Sequence, residues 1–158
     1  DEPARVIYNY GLLLLKMERY DDALKAFEDT LSDLTYRTPA RALNSKGYTL
    51  YRMGQYEPAI EALSDAIRRA PAMCPARFHR GLSHQASGNA QNALDDFEGV
   101  IQNCGNEANG AYFYAAQALL DLGENSAACT YLRTALRDSN SDEFASKIRK
   151  LIASECRQ

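Results

Sequence analysis

Along the chain the apolar positions recur at helical spacing, not at the two-residue alternation of a strand. In the segment 4–17, Val6, Ile7, Tyr10, Leu13 and Leu14 cover more of the helix surface than a face turned to water carries. This predicts that further repeats precede the segment or that something packs on it. At the other end, Phe144, Ile148, Leu151 and Ile152 stand at i, i+4, i+7 and i+8, with Lys147, Arg149, Lys150 and Glu155 on the opposite side. That predicts an amphipathic helix over about 141–156, opened by Asn140 and Glu143 as a capping box. Between these ends Ala23, Ala59, Ala93 and Ala128 step by 36, 34 and 35, and four residues after each comes Phe27, Leu63, Phe97 or Leu132. Gly11, Gly47 and Gly81 keep the same step inside apolar stretches. A glycine there costs about 1 kcal/mol against Ala, which is tolerable where two helices cross closely. Gly54, Gly88 and Gly123 fall between paired segments, where a positive φ is useful. Pro39, Pro58 and Pro75 stand near first turns and Pro71 follows a helix.

A period near 34 divides the chain into four helix–turn–helix units, about 4–37, 40–73, 74–107 and 109–142, followed by the helix 141–156. The first unit aligns Ile7, Tyr10, Gly11, Leu14, Ala23 and Phe27; the second has Leu43, Lys46, Gly47, Leu50, Ala59, Leu63 and Pro71. The third has Arg77, Arg80, Gly81, His84, Ala93 and Phe97; the fourth has Tyr112, Ala115, Ala116, Leu119, Ala128 and Leu132. This pattern resembles the tetratricopeptide repeat, although the chain contains no Trp and Ala116 stands in place of the signature glycine. The resemblance implies an all-α fold, a single domain over 1–158: a right-handed superhelix, or α-solenoid, closed by a C-terminal capping helix that shows its polar face to water.

The resemblance also implies a non-catalytic scaffold whose first helices line a concave groove that binds a peptide segment of a protein partner. Helical phase puts Tyr8, Asn9 and Leu12 of the first unit on that face, with Arg5 and Lys16. The second unit contributes Arg41, Asn44, Ser45, Tyr48, Tyr51 and Arg52, and the third Phe78, His79, Leu82 and Gln85. The fourth contributes Phe113, Tyr114, Gln117 and Asp121. Tyrosine supplies contact area at low entropy cost and asparagine pairs with peptide backbone. The competing reading is that several of these Tyr and Phe rings pack between neighbouring repeats. One variant of the family clamps a C-terminal carboxylate with Lys, Asn and Arg. Here Tyr8 and Leu12 stand where that variant has a Lys–Asn pair, and Pro75 and His79 stand at its later basic positions, so the clamp is not preserved.

Composition removes other classes. With 18 Lys+Arg against 21 Asp+Glu the net charge is −3, which removes the global electrostatic case for nucleic acid. No apolar run approaches the ~20 residues of a membrane span, so a membrane is met only through a lipid anchor that this sequence lacks. No G-x-S-x-G, phosphate-binding loop or H-E-x-x-H motif occurs, and the chain is read as no enzyme, with no cofactor. His79 and His84 are five apart and share no helix face as a metal pair would, so no metal is expected either. The runs Asp21-Asp22 and Asp95-Asp96 read as solvated faces.

Four cysteines remain, with no C-x-x-C among them. Cys74 opens the third unit and Cys104 closes it, on the same side of two antiparallel helices. Cys129 begins a second helix, and Cys156 ends the capping helix that packs on it. Two such pairs point to disulfides, Cys74–Cys104 and possible second pair Cys129–Cys156, and to an oxidising compartment. Buried thiols acting as small apolar side chains are the alternative.

The junction from Asp33 to Leu43 is two residues longer than the period. With Asn9-Tyr10-Gly11 ahead of it, its Tyr36-Arg37-Thr38-Pro39-Ala40-Arg41-Ala42-Leu43 run resembles the tetratricopeptide lipoproteins that serve as pilotins of type IV pili. The Cys74-Pro75 and Cys104 placement is similar to members of that group. This narrower resemblance implies a bacterial outer-membrane protein on the periplasmic side whose partner is a pilus secretin subunit. Such proteins carry a lipidated N-terminal Cys and usually earlier repeats, so it also implies a chain from which that part has been removed. The alternative is a cytoplasmic tetratricopeptide adaptor with a different partner. Self-association through the apolar N-terminal end is a further expectation.

Overall fold

A computed structural model describes residues 2–105 and 110–156. They form nine α-helices and no strand among the described residues. In order these are α1 (Glu2–Lys16), α2 (Tyr20–Ser32), α3 (Pro39–Arg52), α4 (Tyr56–Arg69), α5 (Cys74–Ala86), α6 (Ala90–Asn103), α7 (Ala111–Asp121), α8 (Asn125–Arg137) and α9 (Asp142–Glu155). The helices pair as α1/α2, α3/α4, α5/α6 and α7/α8, and each second helix also packs on the first helix of the next pair. The expected boundary between the third and fourth units, at 107–109, lies outside the described residues.

Each pair is held by one large side chain of the second helix set into the place of a missing side chain on the first. Phe27, Leu63, Phe97 and Leu132 are completely buried. A Cβ on Gly11 would stand 2.7 Å from the Phe27 ring, one on Gly47 2.5 Å from Leu63 Cγ, and one on Gly81 2.7 Å from the Phe97 ring. The helices therefore cross at a separation that only glycine allows in the first three pairs, and Ala115 and Ala116, both fully buried, serve in the fourth. The turns repeat as well. Gly54, Gly88 and Gly123 take φ of +76°, +82° and +79°, and in the first unit Glu18 occupies the same slot at φ 58°. In all four turns the next residue's N–H donates back to the preceding helix, as Arg19 does to Leu14 and Gln55 to Leu50.

Small residues set the distance between pairs. On α3, α5 and α7 the face that meets the preceding second helix carries Ala42 and Thr49, Ala76 and Ser83, and Ala111 and Ala118, all fully buried. The equivalent residues of α1 are Val6 and Leu13, 61% and 53% exposed, and Tyr10 and Met17 beside them are 54% and 56% exposed. The apolar surplus of the first segment is thus a bare stripe.

At the other end α9 lays Ile148 and Ala145, both buried, against the last pair, and the Phe144 ring meets Phe113 at 5.0 Å between centroids. Its cap is Ser141, whose Oγ accepts from the Phe144 N–H, and not the expected Asn140. The expected capping box is displaced because the helix begins at Asp142, one residue later than the box requires. Both cysteine pairs are disulfides, Cys74–Cys104 across the ends of α5 and α6 and Cys129–Cys156 between α8 and the end of α9.

One acidic run is not a solvated face. Asp96, 3% exposed, accepts two hydrogen bonds from Arg80, Nε to Oδ2 at 2.8 Å and Nη2 to Oδ1 at 2.7 Å. Arg80 also donates to Ser64 Oγ at 3.1 Å, so one guanidinium ties α5 to α6 and to α4. A carboxylate can be buried here because a bidentate partner replaces its water.

Candidate binding groove

The first helices α1, α3, α5 and α7 meet one another as well as their own partners, which curves the stack and makes them its inner wall. The centre of that wall is a connected set of half-buried rings. Tyr48 stacks on His79 at 4.5 Å between centroids and on Tyr51 at 6.1 Å. His79 leads to Phe78 at 6.2 Å, and Phe78 meets Tyr114 edge-on at 5.5 Å. The set crosses three helices, with Tyr48 and Tyr51 on α3, Phe78 and His79 on α5 and Tyr114 on α7. Leu82 is half-buried beside it, packed on the core of the third and fourth pairs, and Gln117 is half-buried on α7.

Polar groups hold these rings in place. His79 Nδ1 lies 2.9 Å from Asn44 Oδ1, and burial pushes the His79 pKa down to about 4, so the ring is neutral and its Nδ1–H donates to Asn44. Burial, then the neighbouring Tyr114, Tyr56 and Tyr48, raise the Tyr51 hydroxyl above its ordinary value. Arg52 donates to Glu18 Oε1 at 3.1 Å and to the Tyr48 hydroxyl at 3.3 Å, and its guanidinium covers the Tyr20 ring at 5.2 Å. It is occupied inside the protein and acts on the groove by holding Tyr48.

Three residues expected on this wall are buried: Ser45, 6% exposed, and the rings of Tyr8 and Phe113. Tyr8 is 7% exposed, with its hydroxyl 3.2 Å from Ser45 Oγ and its ring against Phe27 and Tyr36. Phe113 is 1% exposed, between Phe144 and Tyr114, with Lys147 over its face at 5.0 Å. Both lie at the edge of the inner face, where a long ring reaches the next element before it reaches solvent; for these two the packing reading holds. Asn9, Leu12 and Arg41 stay exposed at the N-terminal end of the wall. Helical phase did not reach Tyr36, Tyr20 or Glu18, which come from junctions and turns. The two extra residues before Pro39 were the visible signal for Tyr36.

The repeat geometry and the groove define a solenoid scaffold. A tetratricopeptide-repeat family profile matches residues 2–72, and a second matches 44–108 and 78–143. The chain belongs to the tetratricopeptide repeat family. Among solved structures it is similar to PilW, described as a widely conserved type IV pilus biogenesis factor, with 21% identity and a TM-score of 0.80 over 92% of this chain and 66% of that one. It is similar to YrrB, described as a tetratricopeptide-repeat protein with an unusual peptide-binding site, with 21% identity and a TM-score of 0.78 over 93% of this chain and 74% of that one. It is also similar to MamA, with 22% identity and a TM-score of 0.78 over 91% of this chain and 81% of that one. No curated protein matches the sequence. At these identities the likeness is one of fold.

Proposed function

We propose that this chain is a protein-interaction scaffold that holds a peptide segment of its partner on the inner wall of α3, α5 and α7. The observation that carries this reading is the ring set Tyr48, Tyr51, His79, Phe78 and Tyr114, continuous across three repeats and half-exposed. Rings braced by Asn44 and Arg52 lose little freedom on binding, so they offer contact area at low entropic cost.

The partner we propose is a secretin subunit of a type IV pilus, with the chain acting as a pilotin-like assembly or localisation factor on the periplasmic side of the outer membrane. The long junction ending in Tyr36-Arg37-Thr38-Pro39-Ala40 supports this, as does the likeness in fold to PilW. Two disulfides support an oxidising compartment. The test is co-purification of the secretin with the intact chain and with a Tyr48→Ala/Tyr51→Ala variant. Capture by the first and loss with the second is the expected result; a secretin that ignores both sinks the proposal. Alkylation of protein from its host without reductant separates the compartments, because four freely reacting thiols would favour the cytoplasmic adaptor.

A second reading concerns self-association through α1. Val6, Tyr10, Leu13 and Met17 form its bare stripe, with Glu2 and Lys16 near the two ends. An antiparallel second copy sets Val6 against Leu13 and Glu2 against Lys16, a self-complementary pairing. Light scattering across a concentration series tests it, and a monomer throughout ends it.

A further inference from the structure

The inner wall is short of charge and of hydrogen-bond acceptors. α3 and α5 contain no Asp or Glu, and α7 has one, Asp121, its last residue. The cations of α3 and α5 are paired or turned away from the rings. Lys46 meets Glu28, Arg52 meets Glu18 and Arg80 meets Asp96. Arg77 lies along α6, where a Cβ on Gly99 would stand 2.9 Å from its Cδ, and Arg41 covers the Tyr8 ring at the N-terminal end. With His79 neutral, the rings at the centre of the wall stand free of charge. What the wall does carry is donors. Asn44 spends its Oδ1 on the His79 Nδ1–H at 2.9 Å, which leaves its Nδ2 amide to donate. The Tyr48 hydroxyl accepts from Arg52 and keeps its own proton to give. Burial, then Tyr114, Tyr56 and Tyr48, raise the Tyr51 hydroxyl, so hydroxyls from α3, α4 and α7 converge there. Among the described residues the one buried side-chain nitrogen or oxygen without a partner is His84 Nδ1, so the free hydroxyls of Tyr51 and Tyr114 are open to a ligand. The side-chain acceptors that remain are few: His79 Nε2 and the amide oxygens of Gln85 and Gln117.

We propose that the segment held on this wall is an uncharged, proline-rich stretch of the partner, bound in the extended polyproline II conformation. The proposal rests on the groove reading and names the class of segment. Proline has a carbonyl and no N–H. A proline-rich stretch therefore brings acceptors to a wall of donors, and brings few N–H groups to a wall that cannot receive many. A segment with an N–H at every residue would leave some of them unpaired against the rings. A helix fails for the opposite reason: it spends its carbonyls within itself and leaves Asn44 and the tyrosine hydroxyls facing apolar side chains. Prolyl rings are flat and apolar. They suit the stacked Tyr48/His79 pair and the Phe78 and Tyr114 rings, which meet at 78°. Polyproline II is formed before binding, so little freedom is lost on either side. His79 Nε2 is left to accept from a residue between prolines.

The test is an NMR titration of the isotope-labelled chain, reading the side-chain amides of Asn44 and Gln117 and the ring protons of Tyr48, Phe78 and Tyr114. The probes are blocked octaproline, a blocked Gly-Ser repeat of equal length and a blocked, uncharged leucine-rich helical peptide. Octaproline is expected to move these signals saturably, with little dependence on salt, and the Gly-Ser repeat is not. Its affinity is expected to fall about fivefold or more in a Tyr51→Phe/Tyr114→Phe variant, which keeps both rings, removes two donors and leaves thermal unfolding unchanged. Absence of saturable shifts on the wall, shifts confined to the bare stripe of α1, or undiminished binding by the variant overturns the proposal. A helical peptide that saturates the same signals more tightly than octaproline also overturns it, in favour of a helical segment. A chain that captures the secretin through Tyr48 and Tyr51 but ignores octaproline keeps the groove and loses the proline-rich class. One that binds octaproline here but captures no secretin keeps the class and loses the proposed partner.

Discussion

Replacing His79 by Phe separates one ring's protonation from the rest of the pH response. In the folded chain His79 lies between the Tyr48 ring and Asn44, and burial takes its pKa from 6.5 to about 4. Above pH 6.5 the ring is neutral in both the folded and the unfolded chain, and it contributes no pH dependence. Below that value the unfolded chain binds a proton that the folded chain refuses, so stability falls as the pH drops, and the loss levels off below about pH 4. At about 1.4 kcal/mol per pKa unit the full loss approaches about 3 kcal/mol, of which about 2 kcal/mol is gone by about pH 5. Urea unfolding of the wild type and of His79→Phe, at about pH 7.5 and about pH 5, measures it. Carboxylates titrate in both proteins, and so does His84, whose pKa burial also lowers; these cancel in the comparison. The wild type is expected to lose about 2 kcal/mol more than the variant on acidification. Parallel losses, within about 0.5 kcal/mol, would refute the claim that this ring is held neutral by its site.

Three other perturbations test the packing. Gly47→Ala sets a Cβ 2.5 Å from Leu63 Cγ and 3.2 Å from the Ala59 carbonyl oxygen. Overpacking of about 1–3 kcal/mol exceeds the ~1 kcal/mol gained in helix propensity, so the urea midpoint falls. Asp96→Asn leaves the Arg80 guanidinium, 24% exposed, without its counter-charge. A loss of about 2–4 kcal/mol is expected in chemical unfolding, whereas Arg80→Met/Asp96→Leu stays within about 1 kcal/mol of the wild type because no charge is left unpaired. The disulfides close segments with sequence separations of 30 and 27 residues. Loss of either one, as Cys104→Ser or Cys156→Ser, is expected to cost about 3–4 kcal/mol by chain entropy, read as a lower unfolding midpoint that reductant leaves nearly unchanged once both are removed.

The groove was legible in part. Phase along α3 and α5 identified Asn44, Tyr48, Tyr51, Phe78 and His79, since residues on the face away from the Gly47 and Gly81 stripes have only the concave side to occupy. The same phase placed Tyr8 and Phe113 there, and both are in the core. A helical wheel gives the direction in which a side chain leaves its own helix; it does not give how near the next element stands. Tyr36 and Phe144 close over those two rings, and both come from segments beyond the first helices. Arg52 was correctly placed on α3, but Glu18 and Tyr20, which occupy it, belong to the turn of the preceding repeat.

By itself the sequence determined the repeat, its period and the pairing of helices, and it offered the two cysteine pairs as one of two readings that the structure then decided. The repeat and the pairing follow from features that act within one unit: glycine opposite a large apolar residue and a positive-φ turn between helices. Only the tertiary structure decided which charges and rings belong to the core. Asp96 reads as half of a solvated Asp-Asp pair until Arg80 arrives from another helix. Burial and electrostatic partnership depend on distances between units, and periodicity within a unit does not encode them.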